Sequence, residues 1–526
     1  VKDDSVKESV GDVPAGFKAV EVETGLISDS YVEIKSGLSE GDTVYVAESS
    51  QSSDAVMMMP GGGMGGGPGG GMGGGPGGLA AAQGARLAGA ASVLVLEREN
   101  RLGGILNQCV HDGFGLVRYR EALTGPEYAQ RAREEARSAG ADLMTGAMVT
   151  GLTRDRTLTA VTRRGLLTCQ AGAVVLATGC RERTRGAIAI PGTRPAGVYT
   201  AGTAQNLMNT KNLLVGRRVV VLGSGDIGLI MARRMTLEGA KVLCVAEQRP
   251  APGGLARNVR QCLDDFGIPL LLRCTVTEIV GRGRLEGVVL CQVDEQGRLC
   301  PGTERRVDCD TLLLSVGLIP ENEVGAQAGI ALDPVTNGAV TDPFLQTSVP
   351  GIFACGNSRR VMDLADFVTV QGQSAGANAA RFVRGEPLAP MPPETANAMA
   401  KGLPQPGVTT CILCPKGCQV TWHAGEGARG NGCPKGADYA RQEAVDPRRV
   451  LTTTLKGADG RLIPVKTSGG VPRDRLLACM ETLRHCTLPA ASLSVGQTAL
   501  QDPFGLGVDV VVTGSPMEMN YMHNKK

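Results

Sequence analysis

Residues 217–247 read RRVVVLGSGDIGLIMARRMTLEGAKVLCVAE, and this stretch decides the fold. An apolar run, VVVLG, enters Gly223, Gly225 and Gly228 in GxGxxG spacing. A helical segment follows, and then the strand KVLCV leads to Glu247, 19 residues after the third glycine. Each part has a physical task. The glycines permit a tight turn and close approach of the backbone to a pyrophosphate at a helix N-terminus, and the acid accepts hydrogen bonds from ribose hydroxyls. A carboxylate in that place repels a 2′-phosphate, so the unit predicts an NAD(H) site favoured over NADP. Arg249, two residues on, works against that preference.

Upstream, the hexapeptide GGGPGG occurs twice, at residues 65–70 and 73–78, inside a run in which GGGMGGGP itself repeats. Only the second copy has a sequel: an Ala-rich segment, LAAAQGARLAGA, and then SVLVLE, ending at Glu97, 19 residues after Gly78. Gly73, Gly75, Gly78 and Glu97 therefore predict a second dinucleotide turn. One part is missing. A dinucleotide fold needs a buried strand running straight into the first glycine, and that place holds GGPGGGM, which can form no central strand. Residues 53–72 are expected to be a flexible Gly/Met-rich tether, as at a junction of two coding segments joined through shared glycine-rich sequence.

From Leu79 to about Leu388 helices and apolar strands alternate, the pattern of parallel α/β architecture. A chain of 526 residues holds several domains. A net charge of +2 and 3% aromatic residues give no nucleic-acid footprint. The 16 cysteines are mostly scattered singly through apolar runs, as in a reduced, cytoplasmic protein. No apolar run reaches the roughly 20 residues of a membrane span, and no signal peptide stands at the N-terminus. The chain begins at Val1 without an initiator Met, as a fragment does.

Two fingerprints, the second inserted between parts of the first domain, together with VVLATG (174–179), LLLSVGLIPEN (312–322) and TSVPGIFACGN (347–357), resemble the pyridine nucleotide–disulfide oxidoreductase superfamily of FAD enzymes. The resemblance implies an FAD domain at 73–204 and 323–388 and an inserted NAD domain at 205–322. Thr178, Gly179, Gly356 and Asn357 would belong to the flavin site; the superfamily usually has Asp at the last of these positions. RLGGILNQCVHDGFGL, LTGPEYAQR, ATGCRERTRGAIAIPGTRPAGVYTAGTAQNLMN and DLADFVTVQGQSAG are similar to a bacterial subgroup encoded beside an anaerobic glycerol-3-phosphate dehydrogenase, which implies a dehydrogenase-like flavoprotein as partner. Disulfide reductases of the superfamily carry two close cysteines on the flavin helix, whereas NQCVHDG has one. Cys109, with His111 two residues on, is the candidate catalytic thiolate, because a nearby imidazolium lowers a thiol pKa; a buried structural cysteine is the commoner case.

Beyond the Pro-rich GEPLAPMPPET, residues 389–526 carry CILCPKGC and GNGCPKG, that is Cys411, Cys414, Cys418 and, after fourteen further residues, Cys433. This spacing resembles the iron–sulfur segment of molybdopterin oxidoreductases and suits a [4Fe–4S] cluster; four-cysteine zinc is the alternative. The rest of the tail is β-rich, with one helix expected around residues 473–484, and resembles a small domain of unknown function. His423 is expected on an exposed strand. Residues 1–52 alternate with period two as a small β meander, and VETGLISDSYVEIKSGLSEGDTVYV resembles the C-terminal part of periplasmic adaptor proteins of efflux pumps.

The expected function is hydride and electron transfer between NAD(H), FAD and an acceptor through the cysteine cluster. The alternatives are a thiol or peroxide reductase working through Cys109, and an adaptor fragment joined to an inactive flavoprotein.

Overall fold

The computed structural model describes residues 18, 20, 23–27, 32–39, 48–49, 55–59, 73–392, 401, 407–489 and 493–517. Most of the adaptor-like segment and residues 60–72 of the expected tether lie outside these. Within them, Glu23–Ile27 and Val32–Ser36 pair antiparallel. Five helices position the sites: α1 (Pro76–Leu87), α2 (Asp226–Leu237), α3 (Ala256–Cys262), α4 (Ala365–Val383) and α5 (Pro434–Val445).

The sheet beneath the first glycine turn corrects one expectation. Its five parallel strands run in the order Ile352–Ala354, Ala173–Leu176, Ala55–Met59, Ser92–Glu97, Asp142–Thr145. The central place is filled by AVMMM, from the segment expected to be a tether. Met57 pairs with Val174 on one side and Leu94 on the other. A central strand must satisfy rows of N–H and C=O groups on both neighbours. An apolar pentapeptide without Gly or Pro does so, which the glycine content of the surrounding run obscures. Glu48–Ser49 likewise adds to the edge of the antiparallel sheet formed by Ala147–Leu152, Thr157–Thr162 and Gly165–Gln170.

Helices α1 and α4 meet almost backbone to backbone. A Cβ on Gly376 would stand 1.9 Å from the Ala81 carbonyl oxygen, and one on Gly372 would stand 2.3 Å from that of Gly77. The QGQSAG run is therefore a packing surface that brings α4 onto the helix opened by the glycine turn. Leu79, Val95, Val175 and Phe353 are fully buried between α1, α4 and the sheet, each such side chain contributing about 1.5–3 kcal/mol.

The inserted domain repeats the plan: Val198–Thr200, Thr311–Leu314, Arg218–Leu222, Lys241–Glu247 and Leu270–Leu272 form its parallel sheet. Val198–Thr200 places its start before residue 205. The crossover between domains is a pair of antiparallel strands, Cys180–Glu182 with Leu318–Pro320. In the tail, a five-stranded sheet packs on the helix Leu476–Arg484, at the place expected from sequence. His423 ends the exposed side of strand Gln419–His423, and α5 was not anticipated. No helix of the described residues is long and apolar enough to cross a membrane.

Candidate functional site at the domain interface

The two glycine turns are built alike. Gly75 caps α1 with Pro76 at its first turn, where a missing N–H costs nothing; Gly225 caps α2. Gly78 and Gly228 have no room for a side chain, their Cβ positions lying 1.7 Å from the Gly73 oxygen and 2.7 Å from the Gly223 oxygen. Gly223 itself has φ +94°, a conformation glycine adopts freely. The terminal acids tie the second strand back to each turn. Glu97 Oε2 accepts from the Gly74 N–H at 2.9 Å, and Glu247 Oε2 accepts from the Ser224 N–H at 3.0 Å. Glu97 accepts only from the Gly74 and Glu99 N–H groups and keeps lone pairs free, whereas the Glu247 oxygens are taken up by the Ser224 N–H and hydroxyl and by the Arg249 N–H and guanidinium.

The acids differ in their surroundings. Glu97 is fully buried, and burial pushes its carboxyl up to about 7 despite two backbone N–H donors. Glu247 also feels burial, which alone would raise it. Hydrogen bonds from Arg249 and Ser224 outweigh that effect and hold it below the usual range. The folded chain therefore binds a proton at Glu97 more tightly than the unfolded chain does. The stability from that proton is complete below about 4.5 and is lost as pH rises through about 7. In urea titrations of the cofactor-free chain, Glu97→Gln is expected to remove about 3 kcal/mol of this decline; parallel pH profiles for parent and variant would refute the assignment.

Both turns open on one cavity of about 470 Å³. Its wall includes Gly75, Pro76 and Gly77 on one side, Gly225 and Asp226 on the other, with Cys109, His111, Gly179, Gly356 and Asn357 between. A Cβ on Gly75 would meet nothing within 4 Å, so the turn leaves a cradle open toward the cavity. Thr178 is buried with its hydroxyl oxygen unpartnered among the described residues. Asn357, in the place of the superfamily's Asp, accepts from the Met362 N–H at 2.9 Å and donates to the Cys180 sulfur. These features fit a flavin nucleotide: open glycine backbone and a fixed amide at the cavity wall, with the unspent Thr178 hydroxyl between two wall residues, Ala177 and Gly179. Gly73, Gly78, Gly223, Gly228, Glu97 and Glu247 stand behind the turns and shape them.

Cys109 and His111 both line the cavity, but the expected activated thiolate meets an opposing environment. Burial pushes the Cys109 thiol up to about 12, and its Sγ lies 3.5 Å from Gln205 Oε1 rather than on the imidazole. Burial also lowers His111, and nearby Arg257 and Arg233 add to that. Neither member of the expected ion pair is stabilised in its charged form. Cys180 and Cys355 are buried structural thiols, each pushed up to about 12 by burial.

The four tail cysteines fall in one small unit ahead of and at the start of α5. The Cys411 N–H donates to the Cys418 carbonyl at 2.8 Å, and Cys433 caps α5. Burial first, then the neighbouring Cys414, Cys418 and Cys433, push Cys411 up to about 11. Among the described residues no group of three or more His, Cys, Asp or Glu converges as a metal site. Pro415, next to Cys414, is part of the main cavity wall, so this unit borders the site. Arg233, Arg257, Gln205 and Asp366, also in that wall, belong to no motif legible in the sequence. The one signal was charge inside an apolar helix, the arginines of LIMARRM.

Two dinucleotide turns facing one chamber define an oxidoreductase that brings two nucleotides together. The chain belongs to the pyridine nucleotide-disulphide oxidoreductase family, which matches residues 72–372; residues 434–514 match a protein family of unknown function, DUF1667. A probable ferredoxin reductase, CtmF, of Castellaniella defragrans is 31% identical over 37% of this chain and 45% of its own length, so the match spans less than half of that protein. The thioredoxin reductase of Listeria monocytogenes is 28% identical over 50% of this chain and 78% of its own. Among solved structures, thioredoxin reductase of T. acidophilum aligns with a TM-score of 0.49 at 23% identity, covering 63% of this chain and 98% of that one.

Proposed function

We propose that the chain is an FAD-dependent NAD(H) oxidoreductase, with FAD on the Gly73–Gly78 turn and the nicotinamide nucleotide on the Gly223–Gly228 turn. The observation that carries this reading is the single cavity lined by Gly75 and Gly225 together. When bound, the two cofactors supply the hydride chemistry. The chain's part is to present the N–H groups at the starts of α1 and α2 to the phosphates, to hold the two turns in shape through Glu97 and Glu247 behind them, and to hold both rings in the shared chamber. The test is the visible spectrum of protein purified without oxygen. A flavin band that bleaches on adding NADH is expected; a colourless protein, or a band indifferent to NADH, overturns the assignment.

Cys411, Cys414, Cys418 and Cys433 would hold a [4Fe–4S] cluster, which supplies one-electron transfer when bound; a structural zinc is the alternative. The place of Pro415 in the cavity wall supports the electron-transfer reading. Iron and acid-labile sulfide in the anaerobic protein are expected, and stoichiometric zinc would replace this reading with the structural one. The acceptor is proposed to be a glycerol-3-phosphate dehydrogenase-like flavoprotein, on the phrases shared with that subgroup.

The Glu247 carboxylate opposes a 2′-phosphate while engaging Arg249, whose side chain is 62% exposed. Glu247→Gln releases that guanidinium, and the ratio of kcat/KM for NADH over NADPH is expected to fall at least about tenfold. An unchanged ratio would remove Glu247 from nucleotide selection.

A further inference from the structure

The cavity wall contains two guanidiniums without a counter-charge. Arg257, on α3, and Arg233, on α2, are only 6% and 7% exposed, and both line the chamber beside His111. The Nε of each has no hydrogen-bond partner among the described residues, and no ion pair there includes either residue. Arg233 spends one Nη on the Val450 carbonyl. The Nη groups of Arg257 lie close to Gly113, on the segment that follows Cys109. Gln205, 1% exposed in the same wall, has an unpartnered side-chain Nε2.

The carboxylates of this wall make no ion pair with either arginine. Asp226 accepts from the Leu255 N–H and Asn258 and Glu182 from the Gly202 N–H; Asp366 accepts from the Val117 N–H through Oδ2, and its Oδ1 is unpartnered among the described residues. Asp363 pairs with Lys401. Asp112 lies next to His111 and makes no ion pair with either arginine. Burying an unpaired charge is strongly disfavoured, so two in one chamber point to an anion that completes them.

We propose that Arg233, Arg257 and Gln205 form a subsite for a small anion, a carboxylate or phosphate group of a small-molecule redox partner of the flavin, additional to the protein acceptor reached through the tail cysteines. This inference rests on the oxidoreductase reading and gives its substrate class. The nucleotide's own pyrophosphate is a poor occupant. It belongs at the start of α2, and Arg233 lies seven residues along that helix, roughly 10 Å away at 1.5 Å per residue.

The probes are inorganic phosphate and oxalate, titrated calorimetrically into the full chain at constant ionic strength, with and without saturating NAD⁺. Saturable binding that survives NAD⁺ and weakens at least tenfold in Arg257→Gln, with partial recovery in Arg257→Lys, is expected. Phosphate should raise the melting temperature of the parent and leave that of Arg257→Gln in place. Without the anion, Arg257→Gln should melt no lower than the parent, because it removes an unpaired buried charge. Absence of binding, or binding displaced by NAD⁺, overturns the subsite. The flavin spectrum of the same sample reports separately whether the oxidoreductase reading stands.

Discussion

Gly75→Ala is expected to fold as the parent does and to lose its flavin, whereas Gly78→Ala loses both the flavin and much of its stability. The two glycines stand three residues apart in one turn, and the surroundings of their missing side chains are opposite. A Cβ at Gly75 meets no protein atom within 4 Å and projects where the turn is open, and the backbone there, at φ −75°, accepts alanine without strain. The methyl group then occupies the space through which backbone approaches a pyrophosphate. A loss of about a hundredfold in FAD affinity, roughly 2.7 kcal/mol, is the scale of that contact. At Gly78 the methyl group would lie 1.7 Å from the Gly73 carbonyl oxygen, a backbone atom with nowhere to move. Overpacking of this kind costs about 1–3 kcal/mol. Flavin absorbance per polypeptide and urea midpoints separate the outcomes. A Gly75→Ala protein with full flavin content would remove the turn from the cofactor site.

The second large effect is expected at Arg449, which fastens the tail to the inserted domain. Its guanidinium is 1% exposed and reaches two carboxylates, Asp265 of the nucleotide domain and Glu443 of α5, themselves 0% and 4% exposed. Both contacts are forked: Nη2 lies 3.0 Å from Asp265 Oδ1, and Nη1 and Nη2 each lie 2.7 Å from a Glu443 oxygen. Burial alone would raise Glu443, yet the hydrogen bond from Arg449 holds it below the usual range. Its contribution is therefore present above the ordinary carboxylate pKa and is lost as pH falls through the depressed value. Arg449→Met leaves two buried carboxylates facing only Arg260 and Arg473 at the margin. The expected cost is about 3–5 kcal/mol, seen in urea titration as earlier release of the tail. Replacing Asp265 and Glu443 together with Arg449 by apolar residues of similar volume should restore most of it. If Arg449→Met melted with the parent, the network would not be what joins the two parts.

Much of this was legible in the chain itself. A GxGxxG turn is a local device: strand, three glycines, helix, strand and acid lie within about thirty residues, and their spacing is dictated by helix rise and strand length. Hence Gly73, Gly75, Gly78 and Glu97, and their counterparts in the second unit, could be named from sequence and stand at the two turns. Two of those turns, with the inserted order of the motifs, sufficed for the doubly nucleotide-binding α/β plan. What remained hidden depends on contacts between residues distant along the chain. The strand Ala55–Met59 reaches the sheet centre from beyond a glycine-rich run, because pairing demand from both neighbours, and not local pattern, selects it. The Cys109 thiol is two residues from an imidazole in sequence, yet burial among other elements raises it to about 12. Arg233 and Arg257, ordinary helix residues by pattern, become a paired positive wall only where α2 and α3 close on the segment after Cys109. Sequence alone determined the two nucleotide turns, since their geometry is written in short-range spacing. Tertiary structure decided the central strand, the charge of the chamber and the state of its thiol, since burial and long-range pairing exist only once the chain has closed.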